Sequence, residues 1–322
     1  MQILPQAEPD SCLFHSQAFA RSLHIHGLRP DELGGLFRAD CGRPDWSAIG
    51  ARGLIRIRCG EDPPDTVNTD AKDYRLERLA GGEAWLASGL PGQLRLRADP
   101  RSDDRLLPGP LNLSLAQQWA RQGLFPLHAA ALRWEGLGLL ILGDQGAGKS
   151  SLILAAIEQG AQVISDDWLL VGHHQGEPRA ERLREFLMFR PGPTWERFGA
   201  AIAQRLTITR NRDGRHLHAI SGEDETADFP AWTRLDRCLL LNRPDSTRPE
   251  NTILADTNHS AVLAQLVGAA MPILMTRGFP LERERLFARF HTLVRDLPTR
   301  SATTGLDLAT RPGQVLDRLA SG

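Results

Sequence analysis

Leu137-Gly138-Leu139-Leu140-Ile141-Leu142-Gly143-Asp144-Gln145-Gly146-Ala147-Gly148-Lys149-Ser150 is the stretch that decides the fold. A continuous apolar run of strand length reads as a buried β-strand. It passes directly into GxxxxGK[ST], and Ser151 to Gln159 then reads as a helix. Glycines at Gly143, Gly146 and Gly148 let the backbone wrap a polyphosphate with its N–H groups pointing inward, across Asp144, Gln145 and Ala147. The helix N-terminus, which includes Ser151, adds partial positive charge. Lys149 is placed to reach the β/γ-phosphates of a nucleotide, and the Ser150 hydroxyl to ligate Mg²⁺. Of 38 basic side chains only Lys72 and Lys149 are lysine. An arginine fork cannot replace a compact ammonium inside such a loop.

Outward from this loop lie two further features. Downstream, Ala161-Gln162-Val163-Ile164-Ser165-Asp166-Asp167 reads as a short apolar strand ending in two acids. One carboxylate can organise a metal shell while another accepts a proton from an attacking hydroxyl. The residues alone do not say which of Asp166 and Asp167 does which. Upstream, Pro126 to Trp134 reads as one strand, joined through a Glu135-Gly136 turn to the strand of the opening stretch as a hairpin. His128 lies on that first strand, beside the loop-bearing one.

The runs Leu127-His128-Ala129-Ala130-Ala131-Leu132, Gly143 to Ser150 and Gly160 to Asp167 together resemble the core of the HPr kinase/phosphorylase family. That family carries a leucine-histidine-alanine strand, a GDSGxGKS-type loop and a double aspartate at the same spacings. The resemblance is specific over about residues 125 to 170 and looser beyond, toward HPr-kinase-related proteins of bacterial peptide-modification and export clusters. It implies an α/β fold, a P-loop kinase domain of the HPr kinase / PEP carboxykinase-like type. It implies ATP and Mg²⁺ as cofactors and a serine or threonine hydroxyl of a peptide or protein as acceptor. Lys149 would bind phosphates, Ser150 and Asp166 would serve the metal, Asp167 would be the base, and His128 would orient the reacting phosphoryl group. Members assemble into ring-like oligomers, so a homo-oligomer is an expectation. A small-molecule kinase and an ATP-binding regulator without transfer activity are the alternative readings. The family's glutamate-isoleucine-arginine-glycine run, tied to metal binding and phosphorolysis, is absent from the comparable Leu183 to Gly192.

The remaining sequence sets boundaries. Residues 1–20 read as poorly structured, 21–110 as a small N-terminal α/β domain of alternating strands, and 111–322 as the catalytic domain, with a Pro/Gly-rich boundary near 99–110. Leu111 to Gly123 reads as a helix ended by Gly123. A net charge of −1 with interspersed signs argues against a general electrostatic grip on nucleic acid or an anionic membrane. No apolar run approaches the roughly 18 to 20 residues of a membrane helix. Four scattered cysteines without a CxxC pair and no signal-peptide pattern fit a cytoplasmic protein. His173-His174 reads as a hairpin turn, His216 and His218 as strand residues after an Asn211–Gly214 turn, and Gly222 to Asp228 as an acidic loop. Arg190 could clamp phosphate or be an exposed structural arginine, and Arg210, Arg212 and Arg215 could line a groove for phosphate or an acidic substrate, although a solvated strand face is the favoured reading of those three. Leu263 to Gly268 and Arg285 to Val294 carry helical apolar spacing.

Overall fold

The computed structural model describes residues 2–6, 10–37, 54–59, 93–95, 115–116, 118–120, 122–204, 208–212, 215–219, 228–244, 247–270 and 280–321. Its N-terminal part is an antiparallel meander of β1 (Gln2–Pro5), β2 (Ser11–Ser16), β3 (Arg21–His26), β4 (Leu54–Cys59) and β5 (Gln93–Arg95), paired in that order, with α1 (Pro30–Phe37) after β3. The expectation of little structure in residues 1–20 therefore needs correction. Two strands form there because Cys12 and Phe14 alternate inward on β2 and are buried with Leu23 and Ile25 of β3. Most of the expected 21–110 domain, the 99–110 boundary and the acidic loop up to residue 227 lie outside the described residues.

Next come β6 (Phe125–His128), β7 (Ala130–Trp134), β8 (Leu137–Gly143), α2 (Lys149–Glu158), β9 (Gln162–Ser165), β10 (Trp168–His174), β11 (Glu177–Arg182), β12 (Phe186–Phe189) and α3 (Pro193–Ala203). The chain continues through β13 (Ile208–Arg212), β14 (Arg215–Ala219), β15 (Trp232–Arg234), β16 (Arg237–Leu241) and β17 (Ile253–Asp256). It ends with α4 (His259–Ala269), α5 (Pro280–Asp296), β18 (Thr299–Thr303), α6 (Asp307–Thr310) and α7 (Pro312–Ser321). This is an α/β fold. Among the described residues no helix is long and apolar enough to cross a membrane.

Strand β8 lies inside a six-stranded mixed sheet of order β17-β18-β16-β8-β7-β9, parallel to β16 and antiparallel to β7. Both of its faces are covered, which explains why it reads as an unbroken apolar run. Leu139 and Ile141 face a core with α2, Phe198 and Ile202 of α3, and Val315 and Leu316 of α7. Leu140 and Leu142 face the opposite core, with Leu127, Leu169, Val171, Val262 of α4 and Phe290 of α5. Strands β15, β11, β10 and β6 make a second sheet that contributes to this opposite core.

Two hairpins follow their turn chemistry. Glu135 and Gly136 have φ of 49° and 80°, and Gln175 and Gly176 have 53° and 82°, the pair of positive values that a two-residue type I′ turn requires. His173 and His174, expected in the turn itself, instead end the strand that leads into it, and His173 meets Asp296 at 3.2 Å. Helix α2 closes on Gly160. Its N–H donates to the Ile157 carbonyl and that of Ala161 to the Ala156 carbonyl, the two bonds of a Schellman motif.

The strand expected over Pro126 to Trp134 divides in two at Ala129. Its first half, β6, belongs to the four-stranded sheet and its second half, β7, to the six-stranded one. His128 is therefore not on the strand that pairs with β8. The β9–β10 segment changes sheets in the same way at Asp166-Asp167. The two crossings run side by side, since Ala131 pairs with Ser165 and His128 pairs with Trp168.

Candidate active site

Three pieces of chain meet at this double crossing: the loop after β8, the Asp166-Asp167 turn and the end of β6. The loop forms first from local conformation. Gly143, Gly146 and Gly148 hold φ of 149°, 86° and 104°, values that side-chain-bearing residues avoid. Asp144, Gln145 and Gly146 are exposed, Ala147 is buried, and the Ala147 N–H donates to the Asp144 carbonyl at 3.1 Å. Gly148 caps α2 without any side-chain hydrogen bond, so the first N–H groups of this buried helix lack an intrahelical acceptor. Asp144 accepts from Gln265 Nε2 of α4 at 3.1 Å, and Ser151 Oγ lies 3.1 Å from Thr194 Oγ1 of α3.

Lys149 is buried, and its Nζ donates to the carbonyls of Gly143 at 2.5 Å and Asp144 at 3.3 Å. Burial pushes its pKa down, and the negative charges of Asp167 and then Asp144 oppose that shift. Among the described residues the ammonium has backbone partners but no direct carboxylate partner, which suits an arriving polyphosphate. Ser150 presents an exposed hydroxyl at the first turn of α2.

The two aspartates, equivalent in sequence, face different surroundings. Asp166 is buried, and one of its oxygens accepts the Met188 N–H at 3.1 Å. Desolvation, reinforced by the neighbouring charge of Asp167, raises its carboxyl to about 8. Asp167 turns the other way. Its Oδ1 meets His128 Nδ1 at 3.0 Å and its Oδ2 accepts from Arg184 Nη1 at 2.6 Å. The turn that separates them is pinned by Ser165, whose Oγ donates to the Trp168 carbonyl at 3.0 Å. His128 stands edge-on to Trp168, with centroids 5.9 Å apart.

The expected residues therefore assemble, with one addition. Arg184 was not singled out in the sequence, where it sits in the Leu183–Gly192 stretch that lacks the family run. Its guanidinium also lies 5.6 Å over the Phe186 ring. Arg190 is exposed. Arg210 and Arg212 lie on β13, and Arg215, His216 and His218 on β14.

An uncapped helix start, left-handed glycines and a buried lysine fit a nucleotide polyphosphate. Among the described residues no cluster of three or more His, Cys, Asp or Glu forms a metal cage. Mg²⁺ usually needs only one or two protein ligands beside substrate phosphates. Ser150 and Asp166 fit that pattern.

No family model matches the chain. The HPr kinase/phosphorylase of Mycoplasmopsis pulmonis (strain UAB CTIP) is 38% identical over 64 residues, which is 20% of this chain and 20% of that protein. The matched segment thus spans a fifth of the curated relative's length. Among solved structures, the Hpr(Ser) kinase/phosphatase from Coxiella burnetii aligns over 60% of this chain and 95% of that one, at 14% identity and a TM-score of 0.33.

Proposed function

The chain is HPr kinase-like, and from that premise we propose that it transfers the γ-phosphoryl group of Mg·ATP to a hydroxyl, the serine or threonine of a peptide or protein in the cytoplasm. The observation that carries this reading is the Asp167–His128 pair at 3.0 Å, set close enough to the P-loop lysine for Asp167 to influence its charge state. Polyphosphate binding and proton removal are the two needs of phosphoryl transfer to an alcohol, and here they share one site.

The backbone N–H groups from Gly146 to Ser151 receive phosphate oxygens, and Lys149 neutralises charge that builds toward the transition state. Ser150 and Asp166 would hold the metal, which supplies charge neutralisation across the phosphates when bound. The Asp167–His128 pair takes the proton of the acceptor hydroxyl, so the oxygen attacks as its negative charge develops.

The test offers γ-labelled ATP to a panel of serine- and threonine-containing peptides and, in parallel, to hydroxylated metabolites, with mass spectrometry on the products. Phosphoryl transfer to peptide, lost in Asp167→Asn, is the expected result. Product on a metabolite alone would assign the chain to the small-molecule kinases. ATP binding with no product of either kind would leave a nucleotide-binding regulator.

A further inference from the structure

We propose that the β12-β14-β13 sheet recognises the acceptor, and that it selects a peptide segment with acidic residues about two to four positions from the phosphorylated serine or threonine. The proposal rests on the phosphotransfer reading and gives its substrate a chemical class.

Strand register sets the basic residues of this sheet on one side. Residues paired across an antiparallel ladder share a face, as do alternate residues along a strand. Arg212 pairs with Arg215 and, past the register shift that follows Ile208, Arg210 pairs with Leu217. Leu217 pairs in turn with Met188, and Ala219 with Phe186. Arg210, Arg212 and Arg215 therefore lie on the face that holds Phe186 and Met188. The opposite face holds Leu187 and Phe189, which are buried in the core with Phe198 and Ile202 of α3. Arg190 extends the set. It is exposed, two residues past Met188, and follows the last β12–β14 pair, Phe189 with His216, on the side of Arg215. Within residues 208–219 the sequence holds one acid, Asp213.

This face adjoins the candidate active site. The Met188 N–H donates to Asp166 at 3.1 Å, and Arg184 lies 5.6 Å over the Phe186 ring while it holds Asp167 at 2.6 Å. Strand β12 therefore lies between the aspartates and the β13–β14 hairpin. With about 3.3 Å per residue along a strand and about 4.8 Å between strands, the backbones of Arg190, Arg210, Arg212 and Arg215 lie about 7–12 Å from that of Met188. An extended peptide covers this span in about two to four residues. A chain that presents its hydroxyl to Asp167 and crosses β12 meets positive charge at those positions. Peptide is favoured over nucleic acid because the basic residues occupy one short hairpin and the strand beside it, in a chain of net charge −1.

The test offers the full chain Mg·ATP and paired serine peptides, with either glutamates or glutamines about two to four positions from the acceptor, on one flank or the other. An exposed carboxylate–guanidinium pair is worth up to about fivefold in affinity. An acceptor with two such carboxylates should exceed its neutral counterpart by up to about 25-fold in kcat/KM, on one flank only, and high salt should erode the gain. Arg212→Glu/Arg215→Glu is expected to reverse the preference toward a lysine-flanked peptide, an outcome that loss of structure does not produce. Fluorescence anisotropy of a glutamate-flanked peptide with alanine at the acceptor position reads binding apart from transfer, and binding should weaken in the same variant. Equal kcat/KM for acidic and neutral peptides would overturn the proposal and leave the kinase reading intact. So would an acidic preference that survives the charge reversal, or an oligonucleotide that binds the face more tightly than the peptide does. Faster transfer to the neutral peptide in Glu223→Gln/Asp224→Asn/Glu225→Gln would also overturn it, by giving the face to the chain's own acidic run. Acidic-peptide binding lost on charge reversal, with no transfer to any acceptor, would instead overturn the kinase reading and with it the acceptor role.

Discussion

Gly148→Ala is the substitution through which the loop geometry can be tested most sharply. Gly148 has φ 104° and ψ 9°, and its carbonyl accepts the Leu152 N–H at 2.9 Å as the first full turn of α2. An alanine there enters the left-handed region at a cost of about 1–2 kcal/mol. Its Cβ would also lie 2.9 Å from Thr304 Oγ1, a side chain only 1% exposed and unable to swing into solvent. Overpacking of that kind costs about 1–3 kcal/mol. Together these give about 2–5 kcal/mol against the loop shape that binds phosphate. At about 1.4 kcal/mol per tenfold, the lower end predicts at least a roughly 30-fold loss of nucleotide affinity. A titration with a fluorescent ATP analogue measures it, and a circular dichroism melt confirms that the rest of the domain stays folded. Thr304→Ala isolates the steric part. Thr304 Oγ1 has no hydrogen-bond partner among the described residues, so its removal leaves no orphaned group there and should leave affinity unchanged. In the Gly148→Ala/Thr304→Ala double variant only the backbone cost of about 1–2 kcal/mol remains, a roughly 5- to 30-fold loss. Wild-type affinity in Gly148→Ala, or no recovery in the double variant, would refute the reasoning.

Glu181→Ala should destabilise the chain by about 2–6 kcal/mol in urea titration, because it strips a buried acceptor from Ser16 Oγ and the Gln17 N–H, each an orphan of about 1–3 kcal/mol. Proteolysis within residues 10–37 should rise with it, and an unchanged cleavage pattern would mean that this contact does not tie the N-terminal sheet to β11. Gly138→Ala should abolish folding, since its Cβ would sit 1.8 Å from the Arg234 carbonyl oxygen where β15 turns into β16, and soluble expression would contradict that. Burial pushes the Cys238 thiol up to about 12 from 9.0. Its raised pKa stabilises the fold fully below about pH 9, and that stability is lost at about 1.4 kcal/mol per pH unit as the unfolded thiol ionises first between 9 and 12. Cys238→Ala should flatten that alkaline limb, and a limb of unchanged slope would count against it.

Much of the site was legible before the structure. Gly143 to Ser150, the Glu135-Gly136 reversal and the strand ending at Asp166-Asp167 each carry a local rule: glycine conformation, a type I′ turn, or an apolar run stopped by charge. The sheet crossings at Ala129 and Asp166 were not legible. A strand covered on both faces shows no alternation, so nothing in Leu127-His128-Ala129-Ala130 marks where the chain leaves one sheet for another. The difference between Asp166 and Asp167 was hidden for the same reason. It follows from which side of the crossing each carboxylate leaves, toward the Met188 N–H or toward His128 and Arg184. Arg184 is distant from Asp167 in sequence and sits in a stretch with no motif, so only the return of β11 past β10 brings the two together. Strands β1 and β2 were missed because two short runs broken by Pro5 and Pro9 do not show that Cys12 and Phe14 have Trp119, Leu170 and Leu183 to pack against.

The most direct measurement of the central claim is transfer of label from γ-labelled ATP with Mg²⁺, for wild type and Lys149→Ala, to a library of serine- and threonine-containing peptides. The account predicts label on a serine or threonine with wild type and none with Lys149→Ala, because the buried ammonium that neutralises the phosphates is gone. Label transferred equally by both proteins, or tight ATP binding by wild type with no label on any acceptor, would contradict it.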